Sequence, residues 1–402
     1  MERIIYKAQW NELKNDRKMV FISGPRQAGK TTLAKSIAKN YSNTLYYNYD
    51  TEPEKIILEP NFFENINRID DTIPLVILDE IHKYKNWKSY LKGKFDKFGS
   101  DYQFILTGSG RMEMFNKRDD ALTGRFVSMR LFPLTLREFK NNGNIEDFKK
   151  HKVRSLSLTG KNNAENIKNN LLEYSPFPEP FLKSNKRFYR RWYRTYINQI
   201  ILQDIKDMTA IRHTKAVESL MRIMPERICA PLQYSSLSKL LQISIPTVKN
   251  WLNTLEQFFI VFSIMPYTEI SRALIKNRKY YMYDYGSISD KGAKFENFVA
   301  LELLQFVEYW NCMGEGEFEL RYLKNKEQQE IDFIVLLNGK PFLIIEAKSG
   351  DESISKSVYK FQNSLNVPVV QLVNKPKLYK KKKNNKNDIY ILSAAQFLSN
   401  LP

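Results

Sequence analysis

FISGPRQAGKTTLAKSI, residues 21–37, decides the architecture of the amino-terminal part of this chain. The pattern GxxxxGK(S/T) runs from Gly24 to Thr31, behind an apolar run and ahead of an amphipathic stretch. A glycine-rich loop between strand and helix lets backbone amides approach phosphate oxygens, at a helix start that favours negative charge. Gly24, Pro25, Arg26, Gln27, Ala28, Gly29, Lys30, Thr31 and Thr32 are therefore the expected ATP-binding residues. Lys30 suits the β and γ phosphates, and Thr31 suits Mg2+.

The segments around it share one character. MVFISG, NTLYYNYD, PLVILDE, YQFILTGSG and FVSMRLFPL are short apolar runs separated by amphipathic stretches, which predicts a parallel α/β sheet over residues 1–140. PLVILDE ends in two acids. Asp79 suits a magnesium holder acting through water, and Glu80 the base that polarises the attacking water. QFILTGSG ends in hydroxyl residues, and Thr107 and Ser109 are expected to position that water; a plain strand-to-loop turn is the competing reading.

At 402 residues the chain predicts two to four domains, and 43% hydrophobic with 27% charged residues describes a folded, soluble protein. The first twenty residues carry scattered charges and no unbroken apolar stretch, so a cytoplasmic protein with no membrane partner is expected. Cys229 and Cys312 lie far apart without CxxC spacing, which argues against a disulfide framework or a zinc site. A net charge of +19 suits a polyanion such as DNA, although a composition rich in Lys, Asn and Ile also raises it. A protein partner and an oligomer are compatible with the sequence.

Composition turns polar over 141–170, and residues 141–230 read as a linker and a basic helical segment containing KRFYRRWYR. Its aromatics and arginines suit either a nucleic-acid grip or an amphipathic helix with arginines in solvent. Residues 231–285 predict a winged helix. Ser235 or Ser236 would cap its first helix, Leu237, Leu240, Leu241, Val248, Leu252 and Leu255 would form its core, and Pro246 would open the second helix. Thr247, Lys249, Asn250 and Asn253 on that helix are the candidate DNA contacts. The lysine run KPKLYKKKKNNKND reads as a solvated loop, with DNA contact the alternative.

GPRQAGKTTL, LVILDEIHKYKNW, ILTGSG and LTGRFVSMRLFPLTLREF together resemble a largely uncharacterised AAA+ ATPase family of bacteria and archaea. KYYMYDYGSISDKGAKFENFVALELL and EIDFIVLLNGKPFLIIEAK extend the resemblance to that family's carboxy-terminal region. It implies an AAA+ core, a winged-helix segment and, over 286–402, a fold like the PD-(D/E)xK nucleases. It also makes Arg125 the candidate γ-phosphate sensor, with Arg111 behind it; a structural ion pair is the alternative for Arg125.

A nuclease of that type needs an acid on one strand, ExK on the next and often a glutamate on a preceding helix. Asp332, Glu346 and Lys348 match in order and spacing, with Glu296 as the helical acid and Glu302 its alternative. Lys348 would be catalytic, the acids would hold Mg2+ or Mn2+, and a structural Glu–Lys pair is the competing reading. Parity decides. A two-residue Asn338-Gly339 turn with regular pairing sets Asp332 opposite Ile345 and points the two acids to opposite faces, whereas an odd loop lets them share one. The odd loop is expected.

The chain is thus expected to couple Mg-dependent ATP hydrolysis to a DNA-directed, metal-dependent nuclease-like domain. The alternative is an ATP-driven switch that binds DNA or protein and carries an inactive terminal domain.

Overall fold

The computed structural model describes residues 2–51, 68–84, 86–109, 122, 124–139, 148–150, 163–205, 214–267, 278–384 and 387–402. It divides into two compact units, Met1–Phe132 with Gln257–Phe259, and Pro133–Glu256 with Ile260–Pro402. No helix among the described residues is long and apolar enough to cross a membrane.

The first unit is built on β1 (Met19–Ser23), β2 (Thr44–Asn48), β3 (Leu75–Asp79), β4 (Gln103–Gly108) and β5 (Phe126–Arg130), in the order β2-β3-β4-β1-β5. All four pairings are parallel. The central strands β1 and β3 are buried along their whole length, as their unbroken apolar runs demand, while the tyrosine- and serine-bearing β2 and β5 take the half-exposed edges. Helix α1 (Ile4–Leu13) precedes the sheet, and α2 (Lys30–Ala38) and α3 (Trp87–Phe98) follow strands. Phe21, Leu78, Leu106, Trp87 and Leu91 share one core cluster, each such side chain contributing roughly 1.5–3 kcal/mol on burial. The register Ser23↔Gly108 and Leu78↔Leu106 brings the carboxyl ends of β1, β3 and β4 side by side, which positions the site.

The second unit holds an eight-stranded mixed sheet in the order β12-β13-β11-β10-β9-β8-β6-β7. Its strands are β6 (Val261–Pro266), β7 (Lys279–Met282), β8 (Phe318–Lys324), β9 (Glu330–Leu337), β10 (Lys340–Lys348), β11 (Val369–Val373), β12 (Tyr379–Asn384) and β13 (Asn387–Ser393). Its helices include α4 (Asn163–Tyr174), α5 (Lys186–Gln199), α6 (Thr214–Ile223), α7 (Tyr234–Leu241), α8 (Ile245–Gln257), α9 (Lys291–Cys312), α10 (Lys356–Leu365) and α11 (Ala394–Ser399).

Three expectations change here. The segment 231–285 is not a separate domain, because β6 pairs through Met265↔Arg321 and Pro266↔Tyr322 into the sheet of the terminal region. The lysine run is not a loop: Lys380–Lys383 lie on β12, an edge strand paired antiparallel with β13, where lysines deter further strand addition. Helix α7 begins at Tyr234 without a side-chain cap, so Ser235 and Ser236 sit inside its first turn, and Leu240 is exposed instead of joining the core.

The β9–β10 hairpin overturns the odd-loop expectation while preserving its consequence. Leu337 pairs with Lys340 across a two-residue turn, with Asn338 and Gly339 at φ 51° and 74°, the left-handed values of a type I′ turn. Farther along the register shifts between Pro341 and Leu343, so that Phe342 is an extra residue, and Ile345 pairs with Phe333. Continuing this register places Glu346 opposite Asp332, on the same face.

Candidate active site

The loop between β1 and α2 turns at Gly24, φ 152°, where an added Cβ would lie 2.2 Å from the Leu131 carbonyl oxygen, so no other residue fits. Gly29, φ 99°, leads into the helix. Lys30 is buried, and its Nζ donates to the carbonyls of Gly24 at 3.0 Å and Pro25 at 2.9 Å, aiming the ammonium into the loop. Thr32, by contrast, is exposed.

Asp79, fully buried at the end of β3, gathers three hydroxyls: Thr31 at 2.8 Å, Tyr46 at 2.7 Å, and Thr107. The Thr31 and Asp79 oxygens are hard donors side by side at a helix start, and they fit Mg2+. Glu80 follows in the left-handed region at φ 55°, a conformation costing about 1 kcal/mol or more for a residue with a Cβ. Its amide donates to Thr107 Oγ1 at 3.1 Å. One threonine thus ties both acids to the end of β4. The Glu80 carboxylate lies 3.6 Å from His82 and 3.9 Å from Lys83, and burial holds its carboxyl above the usual range against the pull of Lys30 and Lys83. His82 packs on the strand end, where a Cβ at Gly108 would meet its Nδ1 at 2.8 Å; burial and the Lys83 charge push the imidazole down to about 3. Ser109 Oγ is buried with no hydrogen-bond partner among the described residues.

Two supports of this site belong to no motif. Tyr46 comes from the edge strand β2 with the Lys35 ammonium over its ring at 4.5 Å. Arg3, from just before α1, is buried and donates to Ala28 O at 2.9 Å and Phe132 O at 2.6 Å, fastening the loop to the end of β5.

Arg125 is not at this site. Phe126 pairs with Met19, so Arg125 stands at the amino end of β5, the opposite edge of the sheet from Gly24, and its guanidinium meets Asp96 at 2.7 and 3.2 Å. That is the ion-pair alternative. Arg111 lies outside the described residues.

In the second unit, the expected acids do converge. Asp332 NH donates to Glu346 at 3.4 Å, Ala347 NH donates to Asp332 at 2.9 Å, and Lys348 Nζ meets Glu346 at 2.7 Å. Glu296 on α9 accepts from Tyr281 at 2.9 Å. Glu302 lies elsewhere, accepting from the Leu136 amide at 2.9 Å. Among them sits a cation that sequence reading missed. Lys279 opens β7 with its side chain 1% exposed, and its Nζ lies 2.7 Å from Glu330, 3.4 Å from Glu296 and 3.8 Å from Asp332. The signal available was a lysine leading the otherwise apolar KYYM strand. Burial and the neighbouring Asp332 charge hold Glu296 and Glu346 above the usual carboxylate range. As placed, these residues do not fit a metal: an ammonium stands between the acids, and among the described residues no group of three His, Cys, Asp or Glu is set to hold an ion. Cys229 donates to Ala293 O at 3.3 Å, and burial pushes its thiol far up, leaving it inert.

On α8, Lys249, Asn250 and Asn253 are exposed, while the Thr247 hydroxyl is 2.8 Å from Ser244 Oγ in the helix cap.

Residues 16–140 match the profile of a family described as an AAA domain. Residues 168–289 match one domain of unknown function, DUF8612, and residues 291–396 another, DUF4143. An uncharacterized protein of Methanocaldococcus jannaschii is 23% identical over 367 residues, covering 87% of this chain and 79% of the relative. One from Haemophilus influenzae is 23% identical over 328 residues, covering 75% and 78%. A solved structure of a Thermotoga maritima RuvB variant superposes with a TM-score of 0.31 at 14% identity, covering 65% of this chain and 89% of that one. Residues 16–140 are thus similar to an AAA domain, and the two matched regions that follow have family descriptions that assign no function.

Proposed function

We propose that the first unit binds ATP with Mg2+ and hydrolyses it, and that nucleotide state switches a binding activity of the second unit. The carrying observation is Thr107, whose hydroxyl bonds both the Asp79 carboxylate and the Glu80 amide while Thr31 bonds the same Asp79. Lys30 would exchange its two loop carbonyls for β and γ phosphate oxygens. Thr31 and, through water, Asp79 would hold Mg2+, which offsets phosphate charge when bound. Glu80 would take the proton of the attacking water, its burial making it a stronger base than an exposed glutamate. Phosphate release is the test. Lys30→Ala should lose nucleotide binding, and Glu80→Gln should keep binding while turnover falls roughly 100- to 10,000-fold. Unchanged turnover in Glu80→Gln would overturn the assignment.

For the second unit, the buried Lys279 favours a binding module over a nuclease. Its ammonium already faces Glu296 and Asp332, acids that a nuclease would turn toward metal, and Lys348 is itself paired with Glu346. No DNA cleavage is expected with Mg2+ or Mn2+, with or without ATP. Metal-dependent cutting that disappears in Asp332→Ala would reinstate the nuclease.

A further inference from the structure

Helix α5, KRFYRRWYRTYINQ, carries two faces of opposite purpose. Its inner face is fixed: Trp192 and Tyr196 stack at 4.9 Å, both lie against Phe177 at 5.2 and 5.1 Å, and Tyr189 donates to Asp284 at 3.0 Å. On the outer face Arg187, Arg190, Arg191 and Arg194 follow the i, i+3, i+4, i+7 spacing of a single stripe, and all are exposed. None of these arginines has an acid within ion-pair distance among the described residues; Lys186 beside them is paired, with Glu173 at 2.9 Å.

Such a helix is charged against its own interest. Like charges three and four apart repel by tenths of a kcal/mol each, and basic residues in the first turn oppose the helix dipole. No acid occurs in its sequence to relieve either effect. Asn185, accepting from the Arg187 and Phe188 amides at 2.9 and 3.0 Å, holds the helix start regardless.

We propose that this stripe grips the phosphodiester backbone of nucleic acid without reading bases. Seven residues of helix span about 10 Å, which matches roughly three phosphates of one strand at about 3.4 Å each. Guanidinium forks meet phosphate oxygens in pairs, so four along a line suit a repeating anion. A lipid surface is disfavoured because the apolar face that would enter it is already spent on Phe177 and Asp284. A protein interface is disfavoured because the flanking outer positions, Thr195 and Asn198, are polar, whereas interface centres are apolar. The stripe ends at Arg194, which itself lines a cavity of about 830 Å³ together with Glu218, Glu226 and Asp290.

This inference supplies the partner for the binding module above, and rests on that reading. The test uses the full chain without nucleotide and measures fluorescence anisotropy of a labelled 30-base-pair duplex between 50 and 300 mM salt. Arg187→Gln/Arg190→Gln/Arg191→Gln/Arg194→Gln should bind at least about 100-fold more weakly at 150 mM, and its slope of log K on log salt should shrink by about 3 to 4. The same positions changed to Lys should keep most of that slope. Lys380→Gln/Lys382→Gln/Lys383→Gln on β12 should bind like the parent. The pairs Arg187→Gln/Arg190→Gln and Arg191→Gln/Arg194→Gln stand in if the quadruple variant melts early. An unchanged slope in the arginine variants, or anionic vesicles or polyglutamate binding as tightly with the same arginine dependence, overturns the proposal. ATP turnover measured in parallel separates the two readings: a chain that hydrolyses ATP but ignores DNA loses only the stripe, and one that binds DNA without turnover loses only the ATPase.

Discussion

Replacing Lys279 by Met removes the ammonium from the acid cluster and little else, since the side chain is buried and the two are close in volume. Three carboxylates at 2.7, 3.4 and 3.8 Å then lose their common counter-ion. Breaking a buried pair by removing one partner costs roughly 3–5 kcal/mol. If the hairpin opens locally, that cost becomes roughly 100- to 4,000-fold faster amide hydrogen exchange over β9 and β10 at pH 8. The sign of the pH dependence follows from Glu296, which burial and Asp332 hold above its usual range. A carboxyl raised in the folded state keeps a proton that the unfolded chain releases above about pH 4.5, so its contribution weakens as pH rises through that window. The Lys279→Met deficit should therefore be largest at pH 8 and shrink at pH 5. Exchange within tenfold of the parent at pH 8, with no change toward pH 5, would refute the idea that this ammonium holds the cluster together.

Arg3→Ala removes two buried charge-assisted hydrogen bonds beneath the phosphate loop, each worth about 1.5–3 kcal/mol, and should weaken binding of a fluorescent ATP analogue by at least about tenfold; Arg3→Lys, lacking the fork, should not restore it. His82, neutral and pushed down to about 3, gives a second check. The unfolded imidazole takes a proton near pH 6.5 that the folded one refuses, so stability present above that pH is lost below it, by about 2 kcal/mol between pH 7 and pH 5. Calorimetry should show the parent losing about 2 kcal/mol relative to His82→Gln over that interval, a difference in which the raised carboxyls common to both chains cancel.

The five strands of the first unit were legible because buried parallel strands are apolar on both faces, and Asp79, Glu80 and Thr107 were legible because they end such runs. Strand order was not, since crossovers leave no local mark in sequence. The place of Arg125 could be read from chain direction: it precedes β5, and sites in parallel sheets gather where strands end, so it stands away from Gly24 of its own chain. Tyr46 and Arg3 come to the site by tertiary closure from segments without a motif. Lys279 was hidden differently, as one lysine in a lysine-rich chain whose burial no spacing rule reveals.

The hairpin between Glu330 and Lys348 works as a parity check on chain length. Its turn contributes an even count and Phe342 adds one, so a single insertion or deletion within either strand, with the two-residue turn and the one bulge kept, sends one acid to the far side of the sheet. Two such changes restore it. Among relatives, then, lengths in this short stretch should vary in pairs wherever the acids are retained and freely where they are lost. Among chains that keep this turn and its one bulge, a residue count would sort those that still hold the cluster from those that have let it go.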